Sequence, residues 1–126
     1  MQPVNLFDLA SHQARWLAVR QSTVAGNIAN VNTPTYRTLE VEPFEKVLDN
    51  TRVSMNATQS GHMLSGATEA SFAVRPDEDS VPVLATGNSV QLEKELMKTG
   101  EIRRAFELNT AIVKSFHRMM MMTTRA

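Results

Sequence analysis

The chain contains no cysteine. That absence excludes disulfides, thiolate nucleophiles and thiolate metal sites together, and leaves the compartment open. Aromatic residues are scarce, at 6%, while methionine occurs eight times, so the apolar surface is adaptable rather than rigid. No charge of one sign dominates, because thirteen basic side chains offset thirteen acidic ones. A balanced chain has no bulk field to attract nucleic acid or an anionic membrane. No stretch reaches the length of a bilayer-spanning helix, so direct membrane insertion is not expected. Met1-Gln2-Pro3-Val4-Asn5 has no basic n-region and no long apolar run follows it, so a cleaved secretory signal is not expected either.

Convergent chemistry is also missing. His12, His62 and His117 are far apart and have no ligand partner at helical spacing, so no metal site is expected. Ser60-Gly61-His62 lacks a nucleophile-elbow pattern, and Gly87-Asn88-Ser89 lacks the lysine and preceding strand of a phosphate loop. Glu93-Lys94-Glu95 reads as a charged helix face rather than an acid–base pair. Asn56-Ala57-Thr58 matches a glycosylation triplet, a pattern with a high chance rate. Four methionines in succession, 119–122, point around a helix instead of converging on a soft metal, and suit a flexible apolar cap. The expectation is a protein that is not an enzyme and carries no cofactor.

What is present is periodicity at the two ends. With 126 residues, one domain is expected over residues 1–126. Residues 6–29 read as a helix, with Asn5 as N-cap and Asp8 in the first turn. Leu6, Ala10, Ala14, Leu17, Gln21, Val24 and Ile28 share one face, and from Ala10 the steps alternate four and three. That is the seven-residue repeat of a helix packed lengthwise on another. Gln21 either fixes register as a buried amide or reaches solvent at the edge. Trp16 lies off the seam, under a neighbouring loop or on a second contact surface. Residues 89–122 read as a second long helix with Ser89 as N-cap. Ile102, Phe106, Asn109, Val113, Phe116 and Met120 repeat its seam at the same spacing. Gly100 weakens this helix, and a bend or fraying is expected there. The fold class is mainly α, with the two terminal helices forming a coiled-coil-like pair.

Between them, residues 37–88 are irregular. Leu39 and Val41 alternate with polar neighbours as a short extended piece, and Pro43 opens a short helix running to about Asp49. Ser71-Phe72-Ala73-Val74 and Val81-Pro82-Val83-Leu84 suggest a small β-hairpin, with Pro82 placing the second strand at an edge. Arg75-Pro76-Asp77-Glu78-Asp79-Ser80 is a polar turn or an unfolded loop.

The first helix stops at Ala25-Gly26-Asn27-Ile28-Ala29-Asn30-Val31-Asn32-Thr33-Pro34-Thr35-Tyr36. Glycine and the asparagines weaken it, Pro34 pushes Thr33 out of helical geometry, and Asn30 or Asn32 can take the left-handed conformation. Read as Asn-Ile-Ala-Asn-x-x-Thr-Pro-x-Tyr, residues 27–36 resemble the N-terminal signature of the flagellar axial proteins, the rod, hook and hook-associated subunits. Thr35 stands where that family usually carries glycine. Gly87-Asn88-Ser89-Val90 followed by Glu93 and Glu95 is similar to a segment of the proximal-rod proteins. Arg104-Ala105-Phe106-Glu107-Leu108-Asn109 resembles their Arg-Ala-Tyr-Glu-Ala-Asn pattern, and Gln59-Ser60-Gly61-His62-Met63 resembles a segment of one branch.

The length is that of the short rod proteins of the basal body. The resemblance implies a structural subunit of the proximal rod in the periplasmic space, exported by the flagellar type III apparatus without a cleaved signal. It implies as partners further copies of itself, other rod subunits such as rod protein C, a FliE-type adaptor and the export gate. It also implies a subunit-contact role for Asn27, Ile28, Asn30, Thr33, Pro34 and Tyr36. The alternatives are a rod protein of the C type, whose Pro-Asn-Val segment is missing here, and a soluble helical adaptor or secretion chaperone.

Overall fold

The computed structural model describes residues 6–51 and 72–125. His62, the triplet at Asn56 and the segment 59–63 lie outside the described residues. In chain order the elements are helix α1 (Leu6–Ala29), strand β1 (Leu39–Val41), helix α2 (Phe44–Thr51), strand β2 (Val74–Pro76) and helix α3 (Leu92–Thr124).

α1 and α3 lie antiparallel. Phe7 meets Phe116 edge-on with ring centroids 5.4 Å apart. Asn109 Nδ2 donates to the Ala10 carbonyl at 3.1 Å, Arg20 faces Glu101, and Asn27 reaches Glu95. The seven-residue repeats are what make this lengthwise contact. Ala10, Leu17 and Val24 are buried on α1 and Ile102 on α3, with Trp16, Ile28, Ala105 and Phe106 packed around them. Ala14, Asn109, Val113 and Phe116 are half-buried, whereas Met120 is exposed. Gln21 is exposed too, so it takes the edge position and fixes nothing.

α3 has 33 residues, about 50 Å, against 24 and about 36 Å for α1. Its last turns, with the methionine run, therefore extend past the Phe7–Phe116 contact. α3 continues unbroken through Gly100, where a bend or fraying was expected. Its N-terminus also differs from the expectation. The helix begins at Leu92 behind Gln91, which makes no side-chain cap, because the Ser89 hydroxyl is engaged elsewhere, by the Thr38 N–H.

The small sheet exists, but with different strands. β1 pairs antiparallel with β2, placing Leu39 opposite Pro76 and Val41 opposite Val74. The stretch Val81-Pro82-Val83-Leu84 is no strand. The Val83 and Leu84 N–H groups instead bend back to the Asn88 carbonyl, and Asn88 itself is anchored on the turn that follows α1. Residues 77–80 form the polar turn. The Asp77 carboxylate accepts the Asp79 N–H and the Asp77 carbonyl accepts the Ser80 hydroxyl, the local bonding that makes aspartate and serine favoured turn residues.

β1 and α2 cover the flank of α1. Trp16 Nε1 donates to the Glu42 carbonyl at 2.8 Å and its ring packs on Phe44. Of the two readings of Trp16, packing under a neighbouring segment is the one realised within the chain.

Candidate functional site

Asn27, Asn30, Thr33 and Tyr36 of the family-like motif, and Asn88 from ahead of α3, are hydrogen-bonded together where α1 ends. A helix end leaves its last carbonyls without intrahelical donors. Here Asn30 Nδ2 bonds the Gly26 carbonyl at 2.8 Å, and Thr33 Oγ1 donates to Asn30 Oδ1 at 3.1 Å. Asn88, arriving from just ahead of α3, is fully buried. Its Nδ2 donates to the carbonyls of Asn30, Val31 and Thr33 at 2.8, 3.0 and 2.8 Å, while its Oδ1 accepts the Val90 N–H at 2.7 Å. One amide thus serves the whole turn and joins it to the entry of α3.

The turn needs one residue in the left-handed region. Neither Asn30 nor Asn32 takes it. Among the described residues Thr35 does, at φ 60°, and its N–H bonds the Thr86 carbonyl at 2.9 Å. A β-branched residue is strained there, which accounts for the glycine that the resembling family usually carries. Thr35 lies against Gly87, itself at φ 83°. Space for a Cβ exists at Gly87, with the nearest atom at 3.7 Å, so backbone conformation rather than crowding selects glycine.

Asn27 is the hub of the site and is completely buried. Thr38 and Glu42 exchange backbone bonds with Asp77 and Ala73, so alternation along the strand turns the Leu39 N–H and C=O the other way. Asn27 receives both. Its Nδ2 donates to the Leu39 carbonyl at 2.8 Å and its Oδ1 accepts the Leu39 N–H at 3.0 Å. The side-chain amide stands in for a neighbouring strand. Oδ1 also accepts the Tyr36 hydroxyl at 3.2 Å, and Nδ2 reaches Glu95 Oε2 at 3.0 Å. Ile28 packs on the core beside it, whereas Thr33 and Pro34 are exposed at the tip of the turn.

Glu95, which the proximal-rod-like segment includes, also belongs here, with Lys98, Glu40 and Thr38, to which no motif pointed. Glu95 is 1% exposed, so it is not part of a charged outer face; Glu93 and Lys94 are. Lys98 Nζ bridges Glu95 Oε1, at 3.2 Å, and Glu40 Oε2. Glu40 Oε1 in turn faces Arg20, which also faces Glu101, each at 3.5 Å. Burial alone lowers the Lys98 pKa, but the hydrogen bond and charge of Glu40 and the charge of Glu95 outweigh it and leave it raised. The signal that could have found this pair is spacing. Counting back from Ile102 by four and three gives Lys98 and Glu95, and from Val24 forward by three gives Asn27. The seam continues, but it turns polar. Beside it, Ser89 Oγ accepts the Thr38 N–H at 2.9 Å and the Ser80 hydroxyl at 3.2 Å.

The arrangement fastens one helix end, a strand and the start of a second helix with side-chain amides and paired charges. No protein-family model matches the chain. Curated relatives do. It is 48% identical to the flagellar basal body rod protein FlgB of Agrobacterium fabrum, over 99% of this chain and 96% of that protein. The FlgB of Borrelia hermsii is 32% identical over 83% of this chain and 84% of its own length. That of Bacillus subtilis is 26% identical over 66% of this chain and 64% of its own. No helix among the described residues is long and apolar enough to cross a membrane. With the motif, the helix pair and near full-length identity in agreement, the chain belongs to the flagellar basal body rod protein FlgB family.

Proposed function

We propose that the chain is a structural subunit at the base of the proximal rod of the bacterial flagellum, joined to its neighbours by the surfaces that the α1–α3 pairing leaves open. The observation that carries this reading is the apolar surface that α3 leaves exposed. Leu96, Met97, Leu108, Ile112 and the four methionines 119–122 are 44–70% exposed, far more apolar surface than a helix in water keeps without a partner. Unbranched thioethers adapt to surfaces that differ from one neighbour to the next. In this reading the neighbours are further copies, rod subunits of the C type and a FliE-type adaptor, and the flagellar export gate delivers the chain to the periplasmic stretch of the rod. The exposed Thr33 and Pro34 are contact points. Asn27, Asn30 and Tyr36, bonded within the chain, act by holding that tip in place.

Ile112 and Met119 lie seven residues apart and so on one face of α3. Cells carrying Ile112→Asp with Met119→Asp are expected to make and secrete a helical protein and to build no rods. The purified variant is expected to lose the concentration-dependent association of the parent in sedimentation. Normal motility of such cells rejects the reading. A parent protein of one discrete size at every concentration favours a soluble adaptor or chaperone.

A further inference from the structure

We propose that Glu95 and Lys98 determine the register of the α1–α3 pair. The apolar seam cannot do so by itself. Ala10, Leu17 and Val24 recur every seven residues on α1, as Ile102, Asn109 and Phe116 do on α3. Sliding one helix by a heptad, about 10.5 Å, again sets apolar side chains against apolar side chains, with the Asn109 amide as the exception. The Asn109 bond to the Ala10 carbonyl does not discriminate either, because a backbone carbonyl recurs at every turn. Gln21 is exposed and meets nothing across the seam.

The polar end is different, because its groups do not repeat. Glu95 and Lys98 are 1% and 8% exposed, and their partners Asn27 and Glu40 occur once each along α1 and β1. If α3 slides so that Ile102 comes opposite Asn27, Glu40 loses its lysine and Asn27 loses its carboxylate. If it slides the other way, Glu95 and Lys98 enter the seam together beside Leu17 and Val24, away from Asn27 and Glu40. In each slip the Glu95–Lys98 pair stays together but loses Asn27 and Glu40; a buried ion pair short of its outside partners is costly, and a single buried polar site is an established way to select helix register. Matched apolar side chains in place of the pair keep the helices together and remove the choice. This holds whatever α3 meets in the rod, because it concerns contacts inside one chain.

The absence of cysteine makes register directly readable in the full-length protein. Phe7→Cys combined with Phe116→Cys reports the native register through a short thiol–thiol cross-linker, since those rings touch. Phe7→Cys with Asn109→Cys, or with Thr123→Cys, reports a slip of one heptad in either direction. In the Glu95→Leu/Lys98→Leu background, slipped products are expected to rise about tenfold over the parent, with helicity by circular dichroism unchanged. Asn88→Ala, which removes the amide tying the loop to α1 and leaves the polar end intact, is expected to show the native product alone. Native product alone in the leucine background overturns the proposal. So does loss of helicity there, which would make the pair a source of stability rather than of register. Equal slippage in Asn88→Ala would move the role to the loop.

Discussion

Asn88 and Asn30 both bond carbonyls at the end of α1, but they are not equivalent. Asn88 is fully buried and serves three carbonyls and one N–H. Removing it strands the buried Val90 N–H, at about 1–3 kcal/mol, and leaves three part-buried carbonyls to water at smaller cost. Asn30 is partly exposed, and the Gly26 carbonyl it serves also receives the Asn30 N–H. Asn88→Ala is therefore expected to lower stability by roughly 2–3 kcal/mol and Asn30→Ala by about 1 kcal/mol or less, measured as shifts of the urea midpoint at constant slope. Thr35 offers a test of opposite sign. Its φ of 60° costs about 1–2 kcal/mol for a residue with a Cβ, and glycine loses about 0.4–1 kcal/mol through the freer unfolded chain. Thr35→Gly is expected to raise stability by up to about 1 kcal/mol in the same titration. Equal midpoints would mean that threonine gains as much elsewhere as it loses in conformation.

At the scale of the elements, the α1–α3 contact changes character along its length, from apolar at Leu17, Val24 and Ile102 to ionic at Glu95 and Lys98. The ionic end responds to pH. The folded chain holds the Lys98 proton more tightly than the unfolded chain, whose lysine keeps the ordinary value of 10.5. Stability from Lys98 is thus fully present below that value and declines as pH rises above it, toward the raised folded value. Thermal unfolding followed across alkaline pH is expected to show this decline in the parent and to lack it in Lys98→Met. A parent curve that is flat where the variant falls would contradict the pairing with Glu40 and Glu95. The strand β1 owes its place to the same end, since both backbone groups of Leu39 are held by Asn27. A two-stranded sheet is marginal by itself, and an amide from a helix supplies the missing edge.

For the whole molecule the division is between a seam that is used and a surface that is not. Leu17 is 1% exposed in the core, while Ile112 lies 44% exposed on the opposite helix. Leu17→Asp puts a charge into the seam and is expected to cost several kcal/mol and unfold the pair. Ile112→Asp is expected to change stability by less than about 0.5 kcal/mol while weakening self-association. Circular dichroism and sedimentation on the same samples separate the two effects. Loss of association with intact helicity in the Leu17 variant would contradict this division. The 33-residue α3 carries nine exposed large apolar side chains, Leu92 to Met122, and this is the surface on which the proposed assembly in the rod rests.

The sequence by itself determined the elements whose signal is local. The seven-residue spacing from Ala10 to Ile28 and from Ile102 to Met120 marked two helices and, Gln21 and Met120 apart, the faces on which they meet, because a helical period is written in one segment. Pro34 and the asparagines marked where α1 stops, and the motif they form carried the family. What only the tertiary structure decided is which polar groups meet. Ser89 was free to cap α3 until Thr38, fifty-one residues earlier, claimed its hydroxyl. Val81-Pro82-Val83-Leu84 had the composition of a strand, but β2 formed nearer to Arg75, where β1 could pair with it. Glu95 looked like part of a charged helix face, because charge usually means solvent, and nothing singled out Lys98. Their burial depends on Asn27 and Glu40 arriving from the far end of the chain. Apolar periodicity is a property of one segment, whereas satisfying a buried charge requires a second, and its identity is set only when the chain has folded.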